Sequence, residues 1–337
     1  MQEFYWVNGQ NGGVGIGPGG YPGAAFPYLA NNLDYSRATL PNGLAVVANG
    51  GAPLPNTLTG SVVKDFNGEK VGIIGIVTPY LKSIADTGAI EVTTRDINGN
   101  VITGTTSVDV QVDSIIRNIT PEVQALSNAG INKIILMTHL QESRIEIALA
   151  EEMAALGLGV DLLFGGGSHQ QMSSSTGVPP LREDETQQNN GQLLQPFPQV
   201  YGGGDNRVIY VNSAANYRYL NQLVVTFDDR GVITTIGDDS GPYATDIAGV
   251  DRLYDESITT FDQVRAKADQ DIVEIVDGVR GFVDILDGTI FGQTDVFLNG
   301  VRGDVRTQET NLGNLTADAQ DFYAEAYLNE HNQQFSF

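Results

Sequence analysis

Two of the three histidines, His139 and His169, stand at matching places in the chain. Each lies just past a short apolar run and directly after a hydroxyl residue, Thr138 or Ser168. Neutral imidazole is the commonest metal ligand and a frequent general acid or base near neutral pH. Two imidazoles in matched positions therefore point to metal-assisted or proton-transfer chemistry. The same residues allow a second chemistry. Ser168, or another loop serine, can act as a nucleophile with His139 or His169 as its base, as in an ester-cleaving triad.

The elements that must position these residues are legible around them. The runs Ile134–Met137 and Val160–Phe164 are uninterrupted rather than alternating, the pattern of strands covered on both faces of a parallel sheet. Between them, Glu142–Leu156 places Ile145, Leu149, Met153 and Leu156 three or four residues apart, which suits a crossover helix. A βαβ unit brings both strand ends, and so both histidines, to one rim of the sheet, where open α/β sheets bind ligands. Upstream, Val62–Phe66 and Lys70–Thr78 read as a strand pair around Asn67-Gly68, and Asn98-Gly99 marks a second hairpin within 90–106. Ser114–Asn128 reads as a helix, with Thr120-Pro121 placed to restart it as N-cap and first helical residue. Residues 173–206 form a long polar loop beside the site, and two or three strands follow over 207–234. Asp255–Asp277 is expected as one helix and Ile290–Leu298 as a strand.

The sequence resembles the calcineurin-like metallophosphoesterases in their 5'-nucleotidase branch. MTHLQE is similar to that family's strand ending in Ser/Thr-His. GGGSHQ aligns with its Gly-His-x-His motif, but Gly167 stands where the first histidine belongs and only His169 is kept. FPYLANNLDYS and KVGIIGIVTPY resemble further family segments. VRTQETNLGNLTADAQDFYAEA, the most specific match, resembles the opening of the C-terminal substrate domain. The Asp-x-His and Gly-Asn-His metal motifs do not occur, and no Gly-Asp stands ahead of FPYLANNLDYS, where the family places these three motifs. The resemblance implies an α/β fold, a partial αββα sandwich with mixed sheets, truncated at both ends. It divides the chain into a phosphoesterase-like part (1–250), a linker helix (251–285) and the start of a second domain (286–337). It implies hydrolysis of phosphate monoesters or nucleotides with a divalent ion (Zn, Mn, Mg or Ca), and His139 and His169 as ligands. Asp34 or Glu142 are candidates to complete such a site.

Composition narrows the alternatives. The net charge of −23, from 41 acidic and 18 basic residues, repels nucleic acid polymers and anionic membranes. The absence of cysteine removes disulfides, thiolate nucleophiles and Cys-type zinc sites. Gly15, Gly17 and Gly20 spell G-x-G-x-x-G, yet no strand precedes and no helix follows, and Pro18 and Pro22 break any helix, so residues 1–25 read as irregular loop. Ser61-Val-Val-Lys64 matches S-x-x-K inside β-branched strand sequence, where that motif has no catalytic meaning. The N-terminus shows no signal-peptide pattern, although the resembled family is secreted or periplasmic. Three readings are carried forward: a phosphoesterase on small-molecule esters, a promiscuous carboxylic-ester hydrolase using Ser168 and a histidine, and a non-catalytic fragment. In each a homo-oligomer is expected, because a sheet lacking its first strands exposes an edge.

Overall fold

The structure, a computed structural model, describes residues 23–40, 43–174, 188–189, 192–193, 195–254, 257–287, 292–301, 304–305 and 308–330. The chain divides into two compact units, residues 1–264 and 265–337. The class is α/β, built on one mixed six-stranded sheet. Its strands are β1 (Ser61–Phe66), β2 (Glu69–Val77), β3 (Ile134–His139), β4 (Leu162–Gly165), β5 (Gln199–Tyr201) and β6 (Val208–Asn212), in the order β5-β6-β4-β3-β2-β1. The inner four run parallel, and β1 and β5 close the edges antiparallel.

Helix α1 (Val108–Asn128) crosses from β2 to β3, and α2 (Ser143–Leu156) from β3 to β4. Successive crossovers stepping the same way along a parallel sheet fall on one face, because such connections share one hand. That face holds the main core. Ile74 and Ile76 of β2, Ile134 and Leu136 of β3, and Leu163 of β4 meet Ile115, Ile119 and Val123 of α1 and Ile145, Leu149 and Met153 of α2. The opposite face is covered by a hairpin of β7 (Val225–Phe227) and β8 (Ile233–Ile236), where Leu162, Ile209 and Ile233 are buried together. This cover stops short of the rim, so Met137, at the end of the apolar run of β3, is 49% exposed. Two-faced burial, expected from the unbroken run, therefore holds for the start of β3 and fails at its C-terminal end.

Several local expectations need correction. Helix α1 begins at Val108, six residues earlier than its apolar spacing suggests, and runs through Pro121 without restarting. The missing proline donor is tolerated, with Thr120 Oγ1 donating to Ile116 O at 2.6 Å. Asn98-Gly99 turns the chain, but only the isolated bridge Arg95–Val101 flanks it, and no strand hairpin forms there. Ser61–Lys64 lies in edge strand β1, as its β-branched composition implied. The polar stretch 173–206 is less irregular than expected: Gln195–Phe197 pairs in parallel with Met172–Ser174, and β5 joins the central sheet. Residues 1–22, with the glycine-rich string, lie outside the described residues.

After α3 (Ile247–Tyr254), the single helix expected over 255–277 is two. Helix α4 (Phe261–Lys267) ends before Ala268, and α5 (Gln270–Asp287) begins after Asp269. The described part of 290–298 contains no strand, and Val296 and Phe297 are 61% and 79% exposed. Helix α6 (Asn311–Glu330) forms over the stretch that resembles the substrate-domain opening. No helix among the described residues is long and apolar enough to cross a membrane.

At the rim where the parallel strands begin, the Asp161 carboxylate accepts the Ile134 backbone N–H at 2.7 Å. Burial pushes this carboxyl up to about 7, against the opposing pull of that hydrogen bond and of Lys133. Its folded value therefore lies above the unfolded one. The associated stability is full below about pH 4 and is lost as pH rises through about 7. Asp161→Asn keeps an acceptor for Ile134 and removes the titration. Between pH 4 and 8 the wild-type unfolding free energy should fall by roughly 2–4 kcal/mol more than that of the variant. Parallel urea-denaturation profiles would contradict this.

Candidate active site

The end of β3 and the loop after β4 form one rim, as the βαβ reading required. Gly72–Val77 of β2 pairs residue for residue with Ile134–His139, and Ile135–Met137 pairs with Leu162–Phe164. His139 is the last residue of β3 and is exposed. Its carbonyl accepts the Thr78 N–H at 3.0 Å. Asn32 locks the neighbouring strand end, its amide exchanging two hydrogen bonds with the backbone of Val77. Beyond β4 the chain passes through Gly165, Gly166 and Gly167 to Ser168 and His169, which is also exposed. Two residues of the rim loops, Gln141 and His169, hold φ of 71° and 57°. Left-handed backbone at non-glycine residues is uncommon and clusters at functional sites.

The three glycines answer a packing demand. A Cβ on Gly165 would meet Glu146 Oε2 at 2.4 Å, and one on Gly166 would meet the Thr138 carbonyl at 2.7 Å. On Gly167 it would meet Cδ2 and Nε2 of His139 at 2.9 Å, and there φ is +85°. The loop thus lies directly against the His139 imidazole. The departure from the Gly-His-x-His pattern has a steric reason here: a side chain at 167 fits only if His139 moves.

Under this loop sits Glu146, which the sequence pattern does not single out. It is fully buried on α2. Its Oε1 accepts Thr138 Oγ1 and the Gly166 N–H, each at 2.8 Å, and its Oε2 accepts Tyr210 Oη at 2.9 Å. Burial pushes the Glu146 carboxyl above the usual range, while the bonds from Gly166, Thr138 and Tyr210 pull it back. One carboxylate therefore ties together β3, the β4 loop and β6. The one sequence signal was an acid inside the helix's apolar stripe, beside Ile145 and three before Leu149.

Ser168 Oγ accepts Asn212 Nδ2 at 2.6 Å and the Gln170 N–H at 3.3 Å. Among the described residues neither histidine hydrogen-bonds to it. A cleft of about 470 Å³ opens beside the rim, lined by Gln141, Glu142, Arg144, Ser168, Gln170 and Gln195.

The two carboxylates considered as partners for a metal are engaged elsewhere. Asp34 accepts the Ser36 N–H at 2.8 Å. Glu142 accepts Tyr80 Oη at 3.2 Å and pairs with Arg144. Among the described residues no three His, Asp or Glu side chains come together to hold an ion. His139 and His169 supply two imidazoles and no carboxylate, so these residues do not fit a complete divalent-metal centre.

No family model matches the chain. Its sequence is 25% identical over 296 residues to a 5'-nucleotidase of Diplobatis ommata, covering 88% of this chain and 40% of the relative. It is 26% identical over 274 residues to the snake venom 5'-nucleotidase of Naja atra, covering 79% and 41%. The trifunctional nucleotide phosphoesterase YfkN of Bacillus subtilis is 26% identical over 257 residues, 76% of this chain and 13% of that one. The fold matches the crystal structure of a 5'-nucleotidase precursor from Thermus thermophilus, with a TM-score of 0.50 and 21% identity over 89% of this chain and 46% of that one. Over most of its length the chain is similar to 5'-nucleotidases. The 5'-nucleotidases that it resembles depend on divalent metal. The chain spans about 40% of the length of the first curated relatives it matches. The resemblance first carried by MTHLQE and GGGSHQ falls at the ends of adjacent parallel strands.

Gly167→Ala should cost about 1–3 kcal/mol, because it adds both positive-φ strain and a clash with the His139 ring. Gly203→Ala, with open space at its Cβ, should change stability by no more than about 0.5 kcal/mol. Equal urea midpoints for the two variants would show that the loop does not press on the imidazole.

Proposed function

We propose that this chain carries part of a phosphoesterase site acting on phosphate monoesters, with nucleotides as the favoured substrates. The observation that carries the reading is the placement of His139 at the end of one parallel strand and of the Gly167–His169 loop at the end of its neighbour, beside a polar cleft. The relatives' names, 5'-nucleotidase and nucleotide phosphoesterase, support the same substrate class.

Hydrolysis of a phosphate monoester needs a donor for the departing oxygen and groups that hold the phosphoryl oxygens. The exposed His139 imidazole, with no hydrogen-bond partner among the described residues, can supply the proton. Arg144, Ser168, Gln170 and Gln195 give the cleft donors for an anion. In this family a divalent ion activates water and spreads charge. His139 and His169 are the residues here that would contribute to holding one, and their donor set is incomplete alone, so no step is drawn through it. A serine-based carboxylesterase is the weaker reading, because Ser168 Oγ is held by Asn212 and the Gln170 backbone. Self-association along the outer half of β1, Lys64–Phe66, is part of the proposal, since Gly50 and Gly51 already bond to Ser61 and Val63, and the substrate-domain role of 286–337 rests on its sequence signature.

The purified chain should hydrolyse p-nitrophenyl phosphate in preference to p-nitrophenyl acetate. His139→Ala should lower phosphatase kcat/KM by about 100-fold. Unchanged phosphatase turnover in that variant, or loss of acetate hydrolysis alone, would overturn the reading.

A further inference from the structure

We propose that Glu146 is a positioning residue for His139, holding the imidazole against the glycine loop from beneath the rim. The inference deepens the proposed phosphoesterase reading and rests on it only for its kinetic arm. Thr138 precedes His139 and donates to Glu146 Oε1 at 2.8 Å. Gly166 precedes Gly167 and donates to the same oxygen at 2.8 Å. The residues just before the ring and just before the glycine it packs on therefore share one acceptor atom. Tyr210, fully buried on β6, fixes the other oxygen at 2.9 Å. The Gln141 N–H closes the cage by donating to the Gly166 carbonyl at 3.3 Å.

A carboxylate that only satisfied buried donors would lower stability when replaced, without moving the His139 ring in the folded protein. One placed to align two backbone segments needs its oxygen at that point, since the Gly166 N–H has no freedom to turn and find another acceptor. Glutamine keeps such an oxygen. Alanine and methionine do not.

The test follows the ring itself. In a carbon–proton correlation spectrum at fixed pH, the imidazole resonances are assigned with His139→Ala and His169→Ala. Glu146→Met should move or broaden the His139 resonance, leave His169 in place, and lower phosphatase kcat by roughly tenfold or more with KM held within about twofold. Glu146→Gln should restore both. Thr138→Val, which removes one donor at almost constant volume, should move the same resonance if Glu146→Met does not fold. A folded Glu146→Met or Thr138→Val with the His139 resonance unmoved would overturn the proposal. If the wild type turns over no phosphate ester, the phosphoesterase reading fails, and the resonances still decide the positioning role.

Discussion

The structure of the rim depends on one buried carboxylate with three donors. Parallel strands pair through their backbones up to a point, and past that point each chain leaves the sheet by its own path. Something must define where the departing loops go. Here it is Glu146, set on the helix between two of those strands and reaching Thr138, Gly166 and Tyr210 at once. An unpaired buried carboxylate is costly, and one satisfied by several donors is tolerated. The burial that raises its pKa and the hydrogen bonds that lower it describe the same compromise. Glycine at 165 follows directly, because the carboxylate occupies the space a side chain would need.

From that anchor the functional geometry unfolds outward. The loop can approach β3 closely only because it carries no side chains for three residues. Its approach brings backbone, rather than a second imidazole, onto the His139 ring. Two histidines thus reach the same rim without forming a full ligand set. This chain covers less than half the length of the Diplobatis ommata and Thermus thermophilus proteins.

Much of this frame was legible in the residues. Unbroken apolar runs gave β3 and β4, and intervals of three and four gave α2, because a central parallel layer imposes both patterns. Other features were not, for identifiable reasons. Glu146 looks like an ordinary surface acid, since periodicity scores only the apolar partners of a stripe. Gly167 reads as a missing ligand, although its role is steric and depends on a residue 28 positions earlier in the chain. The first turns of α1 place Val108, Val110 and Val112 at every second residue between polar ones, so its start does not read as helix, and Pro121 suggests a boundary that tertiary packing overrides. The break between α4 and α5 falls at Ala268-Asp269, with no glycine or proline to mark it. The β-branched and aromatic residues of 290–298 suggest a strand, but the described part finds no partner strand.

The most direct measurement is a nuclear Overhauser contact between the Hδ2 proton of His139 and the Hα protons of Gly167, read in selectively labelled protein. A Cβ added at Gly167 would lie 2.9 Å from His139 Cδ2, so one Gly167 Hα points at the ring and a strong cross-peak is expected. Its absence, with His139 giving contacts to residues far from the β4 loop, would contradict the shared rim on which everything else stands.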